Sequence, residues 1–176
     1  MGNPMSALNA PIGSGKIIEA LLLALAMAAV VGTALGFEHI GGYIPCALCL
    51  EQRIPYYLGV PVMIAAALSA SLRAPAVLTR GLFLIGGGLM IYGMALGIYH
   101  SGVEWAWWEG PAGCGGGTAG VTTDAGNLLS DLNAKKPPSC NEAALRVLGL
   151  SFAGWNVLAS LALAIACLRG AFTTKA

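Results

Sequence analysis

An all-α membrane protein, a bundle of four transmembrane helices with two cysteine-bearing outer loops, is the fold this sequence predicts, and three observations predict it. Of 176 residues, 57% are hydrophobic and only 10% charged, whereas a soluble domain carries about 25% charged residues. Four apolar runs each reach the roughly 20 residues that a helix needs to cross a hydrocarbon core of about 30 Å. Four of the five cysteines fall between those runs, two in each of two loops.

The first run, 17–37, follows Lys16. It is longer than the apolar core of a secretory signal, about 7–15 residues, and is therefore read as a retained helix. Glu19 is its sole acidic residue and lies within one turn of the end, in reach of the headgroup layer. The later runs are 54–72, 81–99 and 150–168, and none of the four has the polar face that a core helix of a soluble protein needs. Gly32-x-x-x-Gly36 in the first and Gly93-x-x-x-Gly97 in the third have the spacing that lets helix backbones approach closely. The whole chain, 1–176, reads as one membrane domain.

An even number of spans puts both termini on one side, together with the short connection 73–80. That side holds Lys16, Arg73, Arg80, Arg169 and Lys175 against Glu19 alone. The other side holds Arg53, Lys135, Lys136 and Arg146 against seven acids, Glu38, Glu51, Glu104, Glu109, Asp124, Asp131 and Glu142. Basic residues in short segments weigh most in orientation, and Lys135 and Lys136 sit midway along a long loop, so both termini are expected in the cytoplasm. Loops 38–53 and 100–149 then lie outside it. The Trp105, Trp107 and Trp108 cluster reads as an interfacial aromatic belt. A net charge of +1 creates no basic field, so nucleic acid is not an expected partner.

Cys167 lies inside the fourth run, where a thiol packs as a small hydrophobe. Cys46 and Cys49 form a C-x-x-C motif after Pro45 in the first outer loop; Cys114 and Cys140 lie 26 residues apart in the second. A structural zinc site needs a second close pair or two nearby histidines, and His39 and His100 are in different loops, so no metal is expected. Closing the two-residue gap of Cys46 and Cys49 removes little chain entropy, which favours redox exchange over a staple. For Cys114 and Cys140 spacing leaves both readings open. If Pro45 begins a helical turn, Arg53 shares a face with Cys49 at i, i+4, and guanidinium and helix N-terminus together favour the Cys49 thiolate. Pro55 suits the first turn of the second span and works against that geometry, and the alternative role for Arg53 is snorkelling to the boundary.

The string Pro45-Cys46-Ala47-Leu48-Cys49-Leu50-Glu51-Gln52-Arg53 before the second span, Tyr99-His100 at the end of the third, and Cys114 with Cys140 in the second outer loop resemble the bacterial DsbB (disulfide bond formation protein B) family. The likeness covers nearly the whole chain. It implies a multi-pass enzyme of the bacterial inner membrane that re-oxidises a periplasmic thioredoxin-like thiol oxidase of the DsbA type and passes the electrons to a membrane quinone, ubiquinone or menaquinone. By the same resemblance, Cys114–Cys140 is the disulfide met by the partner and Cys46–Cys49 the one beside the quinone. Cys49 would supply the thiolate that contacts the quinone ring, Arg53 would bind the quinone, and His100 would lie near its pocket. The loop around Cys114 departs from the family in being unusually Gly-rich, and the residues between the two outer cysteines give no motif to carry over.

Two alternatives stand beside this. The vitamin K epoxide reductase relatives also use four spans and two cysteine pairs, but their C-x-x-C belongs near the last helix, and here it follows the first. A non-enzymatic scaffold with stapled outer loops would hold inert cysteines. For the outer pair, Gly113 and the glycines at 115–117 leave the Cys114 sulfur unshielded, whereas Cys140, between Pro137-Pro138-Ser139 and Asn141-Glu142, reads as a rigid approach to a helix start. The partner is therefore expected to attack Cys114, freeing Cys140 to attack Cys46 and release Cys49.

Overall fold

A computed structural model of the chain describes residues 13–111, 114 and 139–173. The glycines at 113 and 115–117, Asp124, Asp131, Lys135, Lys136, Pro137, Pro138 and Lys175 lie outside the described residues. Helix α1 is Gly15–His39. A short α2, Ala47–Glu51, leads through Gln52 and Arg53 into α3, Ile54–Ser71. Helix α4 is Ala76–Glu104 and α5 is Phe152–Phe172. Four segments, α1, α2 with α3, α4 and α5, are long and apolar enough to cross a membrane.

Helix α3 packs on α1 and α4, and α4 packs on α5, whereas α1 and α5 touch sparingly. On α1 the inward face is Ala20, Leu23, Ala24, Met27 and Val31, recurring at three- and four-residue steps as one helix face requires. These residues meet Tyr56, Met63, Phe83 and Met90 in one core. Ile18, Leu22 and Leu25 point outward and are exposed, as expected where lipid tails are as apolar as the side chains. Cys167 is fully buried, packed against Gly86 and Gly87 of α4.

Only one of the two Gly-x-x-x-Gly pairs is a contact point. A Cβ at Gly97 would lie 2.9 Å from Val157 Cγ2 and 3.2 Å from the Ala153 carbonyl oxygen, while at Gly32 or Gly36 it would meet nothing within 4 Å. Gly97→Ala is expected to destabilise the bundle by about 1–3 kcal/mol through overpacking. Gly36→Ala, in open space, should be neutral or gain up to about 1 kcal/mol from helix propensity. Thermal unfolding in detergent separates the two; equal Tm values would mean that the α4 and α5 backbones do not approach as described.

Three expectations change. Helix α4 begins at Ala76 and continues to Glu104, so the connection to α3 is shorter than 73–80 and His100 sits inside the helix rather than opening the outer loop. Hydropathy marks the lipid-facing stretch, whereas the hydrogen-bond ladder continues past Tyr99 until Trp105. Cys140 does not lead into a helix: residues 146–151 form an antiparallel hairpin, β1 (Arg146–Val147) with β2 (Leu150–Ser151). Its turn residues Leu148 and Gly149 both have positive φ, 53° and 84°, the backbone that matches hairpin twist. Ser151 then caps α5, its side chain accepting from the Gly154 N–H at 3.2 Å. Glu19, finally, is neutralised within the chain by Lys16, which also donates to Thr173 Oγ1 at the same end of the bundle.

Candidate functional site

The C-x-x-C motif folds as the start of α2. Cys46 is the N-cap, with extended backbone, and its sulfur accepts the Cys49 N–H at 3.3 Å, satisfying a donor that a helix start leaves orphaned. The Cys46 and Cys49 sulfurs are 2.8 Å apart as free thiols. His100 Nε2 lies 3.7 Å from Cys46 Sγ on the other side. The Cys49 S–H bond, reinforced by His100, holds the Cys46 thiol well below the usual range against the opposing effect of burial. The neighbours that favour a thiolate therefore gather on Cys46, where sequence reasoning placed them on Cys49.

Arg53 points elsewhere. Its Nη1 donates to Glu38 Oε2 of α1, an ion pair bridging the entry of α3 and the exit of α1, fifteen residues apart in the chain. This pair and Cys49 lie on a cavity of about 570 Å³ between α1, α5 and the hairpin. Phe37, Phe152 and Trp155 give it apolar walls, and Gln52, Arg53 and Asn156 form a polar edge. The volume falls in the range of small-molecule sites, which combine apolar walls with a few placed polar groups. Neither Cys46 nor His100 lines it.

Cys114 and Cys140 are disulfide-bonded, with Cα atoms 5.0 Å apart, and the Cys140 N–H donates to the Cys114 carbonyl at 2.8 Å. Both are 1% exposed and share one buried cluster with Cys46, Leu48 and Val103, against which Cys49 packs. The expected unshielded Cys114 sulfur is thus corrected. Its neighbours in sequence are glycines, but Cys114 itself is buried in one cluster with Cys46, and the apolar seat comes from Leu48 and Val103. Cys46 stands between the outer disulfide and Cys49.

His100 is 3% exposed. Its Nδ1 is 2.7 Å from Gln52 Nε2, so Gln52 stands between it and the cavity. Its Nε2 also lies 3.9 Å from Glu104 Oε1, one turn on in α4. Glu104 is buried, and its Oε2 has no hydrogen-bond partner among the described residues. The donor atoms of Cys46, Cys49 and His100 lie within 4.8 Å of one another, so the separation in sequence that argued against a metal cluster is closed by the fold.

Sequence reasoning missed Gln52, Asn156, Tyr56 and Glu38. Asn156 Nδ2 donates to Gln52 Oε1 at 2.8 Å, and Tyr56 donates to Asn156 Oδ1 at 2.7 Å. For Tyr56 and Asn156 the available signal was a polar residue isolated within an apolar span, since each must find a partner there.

A family model described as disulfide bond formation protein DsbB matches residues 18–169. Among curated proteins, the chain is similar to the disulfide bond formation protein B of Polaromonas sp. (strain JS666), 28% identical over 148 residues that cover 82% of this chain and 83% of that protein. It is also similar to an uncharacterized protein, RP370, of Rickettsia prowazekii (strain Madrid E), 26% identical over 154 residues, covering 85% and 84%. No solved structure matches.

Proposed function

The chain belongs to the DsbB family of four-helix membrane proteins active in disulfide bond formation, and from that premise we propose that it oxidises the dithiol of a periplasmic thioredoxin-like protein and delivers the electrons to a membrane quinone. The reading rests on one arrangement. Cys46 packs with the Cys114–Cys140 disulfide, and its partner Cys49 lines the cavity. The pair therefore connects a protein-facing disulfide to a site for a flat apolar molecule with polar edges.

The residues fit such a molecule. Phe37, Phe152 and Trp155 would flank a quinone ring, and the Arg53 nitrogens not used by Glu38 would donate to one of its oxygens. A bound quinone supplies the acceptor for two electrons and two protons. All of the chain's own steps but the last are exchanges, each forming one S–S bond as it breaks another. The partner's thiolate joins Cys114 and frees Cys140. Cys140 then joins Cys46 and releases Cys49 as a thiolate toward the cavity. When the partner's second thiolate completes its own disulfide, Cys114 is freed, re-forms its bond to Cys140 and releases Cys46. The Cys46 and Cys49 dithiol is finally oxidised back to its disulfide, its two electrons and two protons going to the quinone, and the net change is one dithiol oxidised for one quinone reduced. We place the termini in the cytoplasm of a bacterium, in its inner membrane, from the surplus of short-segment basic residues at that end.

The test supplies a reduced thioredoxin-like oxidase to spheroplasts carrying this protein, so that it reaches the periplasmic face alone, and repeats the assay on purified protein with a soluble quinone analogue. Oxidation on that face, with one quinone consumed per disulfide made, is the expected result. Oxidation that proceeds with no quinone consumed would exclude the acceptor, and oxidation solely after opening the cytoplasmic side would reverse the orientation.

A further inference from the structure

Gln52 and Asn156 form a chain of hydrogen bonds that ends on His100, and two backbone carbonyls fix its direction. Asn156 Nδ2 lies 3.1 Å from the Gly93 carbonyl oxygen, and Gln52 Nε2 lies 3.3 Å from the Leu48 carbonyl oxygen. A carbonyl oxygen only accepts, so each amide must turn its NH₂ toward it; the flipped amide would set oxygen against oxygen. Asn156 then donates its second hydrogen to Gln52 Oε1 at 2.8 Å, and Gln52 donates its second hydrogen to His100 Nδ1 at 2.7 Å. Tyr56 adds to the same orientation by donating to Asn156 Oδ1. With Nδ1 accepting, the imidazole hydrogen sits on Nε2, the atom 3.7 Å from the Cys46 sulfur.

We propose that Gln52 and Asn156 are positioning residues that hold His100 in its Nε2–H tautomer, so that the imidazole donates a hydrogen bond to the sulfur of Cys46. This deepens the proposed function and rests on it for the role of Cys46. In that cycle Cys46 acts twice as a thiolate: once as the sulfur released when Cys114–Cys140 re-forms, and once as the sulfur that bonds Cys49. Two N–H groups then face it, that of Cys49 at 3.3 Å and that of His100. The opposite tautomer would turn a lone pair toward the thiolate. It would also be the form able to ligate a metal through Nε2, so the same amides direct the Cys46, Cys49 and His100 cluster to thiol chemistry. The groups around Cys46 are Cys49, His100 and, behind the imidazole, Glu104.

The test is nitrogen NMR of the full chain, ¹⁵N-labelled at histidine, reduced and in detergent, with neither quinone nor partner present. The chain has two histidines, and His39→Gln assigns the signals. A hydrogen on Nε2 and a bare Nδ1 are expected for His100. In Gln52→Glu the carboxylate can only accept, so the hydrogen is expected to move to Nδ1, with a fall in the ultraviolet thiolate absorbance expected of the reduced wild-type protein at neutral pH. Should Gln52→Glu not fold, Gln52→Leu removes the donor to Nδ1, and a mixture of tautomers is expected. A wild-type hydrogen on Nδ1, a doubly protonated ring, or an unchanged tautomer in the variants would overturn the proposal. Because the spectrum is read without turnover, that failure is distinct from failure of the quinone assay.

Discussion

In Cys49→Ser, quinone reduction is expected to fall to background while a Cys46–Cys140 disulfide accumulates. In Cys46→Ser, reduction is also lost, but no bond between the C-x-x-C segment and the outer loop forms. The asymmetry follows from where each sulfur sits. Cys46 is buried in one cluster with Cys114 and Cys140, whereas Cys49 packs at its margin and lines the cavity. Removing Cys49 leaves a Cys46 thiolate that can attack the Cys114–Cys140 disulfide, joining Cys140 and releasing Cys114, with no Cys49 thiolate to break the new bond. Removing Cys46 takes away the only sulfur among the described residues that stands between the two. A partner lacking its resolving cysteine, added to the oxidised wild-type chain, should be caught on Cys114 while Cys140 holds Cys46 and Cys49 is left as a thiolate, and peptide mass spectrometry maps both bonds. Both outer cysteines are equally buried, so burial does not set the order of attack. An adduct mainly on Cys140 would reverse the order of attack, and one on Cys46 would mean that the outer pair is not a relay.

How much of this was legible in the sequence depends on whether the signal is local. The four spans were legible because an apolar run of about 20 residues is a one-dimensional feature. Cys46, Cys49 and Arg53 were legible because they share a nine-residue string. His100 was found through the family resemblance, but its neighbours were not, since Gln52 and Tyr56 come from one place in the chain and Asn156 from another, and they meet His100 only when α3, α4 and α5 pack. Glu38 was counted as an outer charge, and nothing in the chain between it and Arg53 announces their ion pair. The helical extension to Glu104 escaped because hydropathy reports solvent, and the ladder does not stop where lipid does. The hairpin at 146–151 escaped because Leu148 is an unusual residue for positive φ, although Gly149 beside it was the available hint.

Arg53→Ala is expected to raise the KM for quinone by roughly 10- to 150-fold, the equivalent of losing one hydrogen bond from a charged donor, about 1.5–3 kcal/mol. The outer disulfide should remain intact, because Arg53 is not part of the cluster that holds it. The guanidinium is held from one side, Nη1 on the Glu38 carboxylate, and among the described residues its other donors have no partner at the cavity edge. It offers five N–H donors in a rigid fork, enough to serve the carboxylate and a ligand oxygen together, and the carboxylate neutralises the charge that an apolar cavity would otherwise have to bear. Arg53→Lys keeps the charge but presents a compact ammonium on a flexible stem, which Glu38 would hold as a point charge. Lysine is therefore expected to recover little of the alanine loss. Steady-state kinetics with a soluble quinone analogue, at saturating reduced partner, reads the effect as KM against kcat. A KM unchanged in Arg53→Ala would remove the guanidinium from the quinone site. A full recovery by lysine would show that charge alone, without the fork, is what the cavity uses.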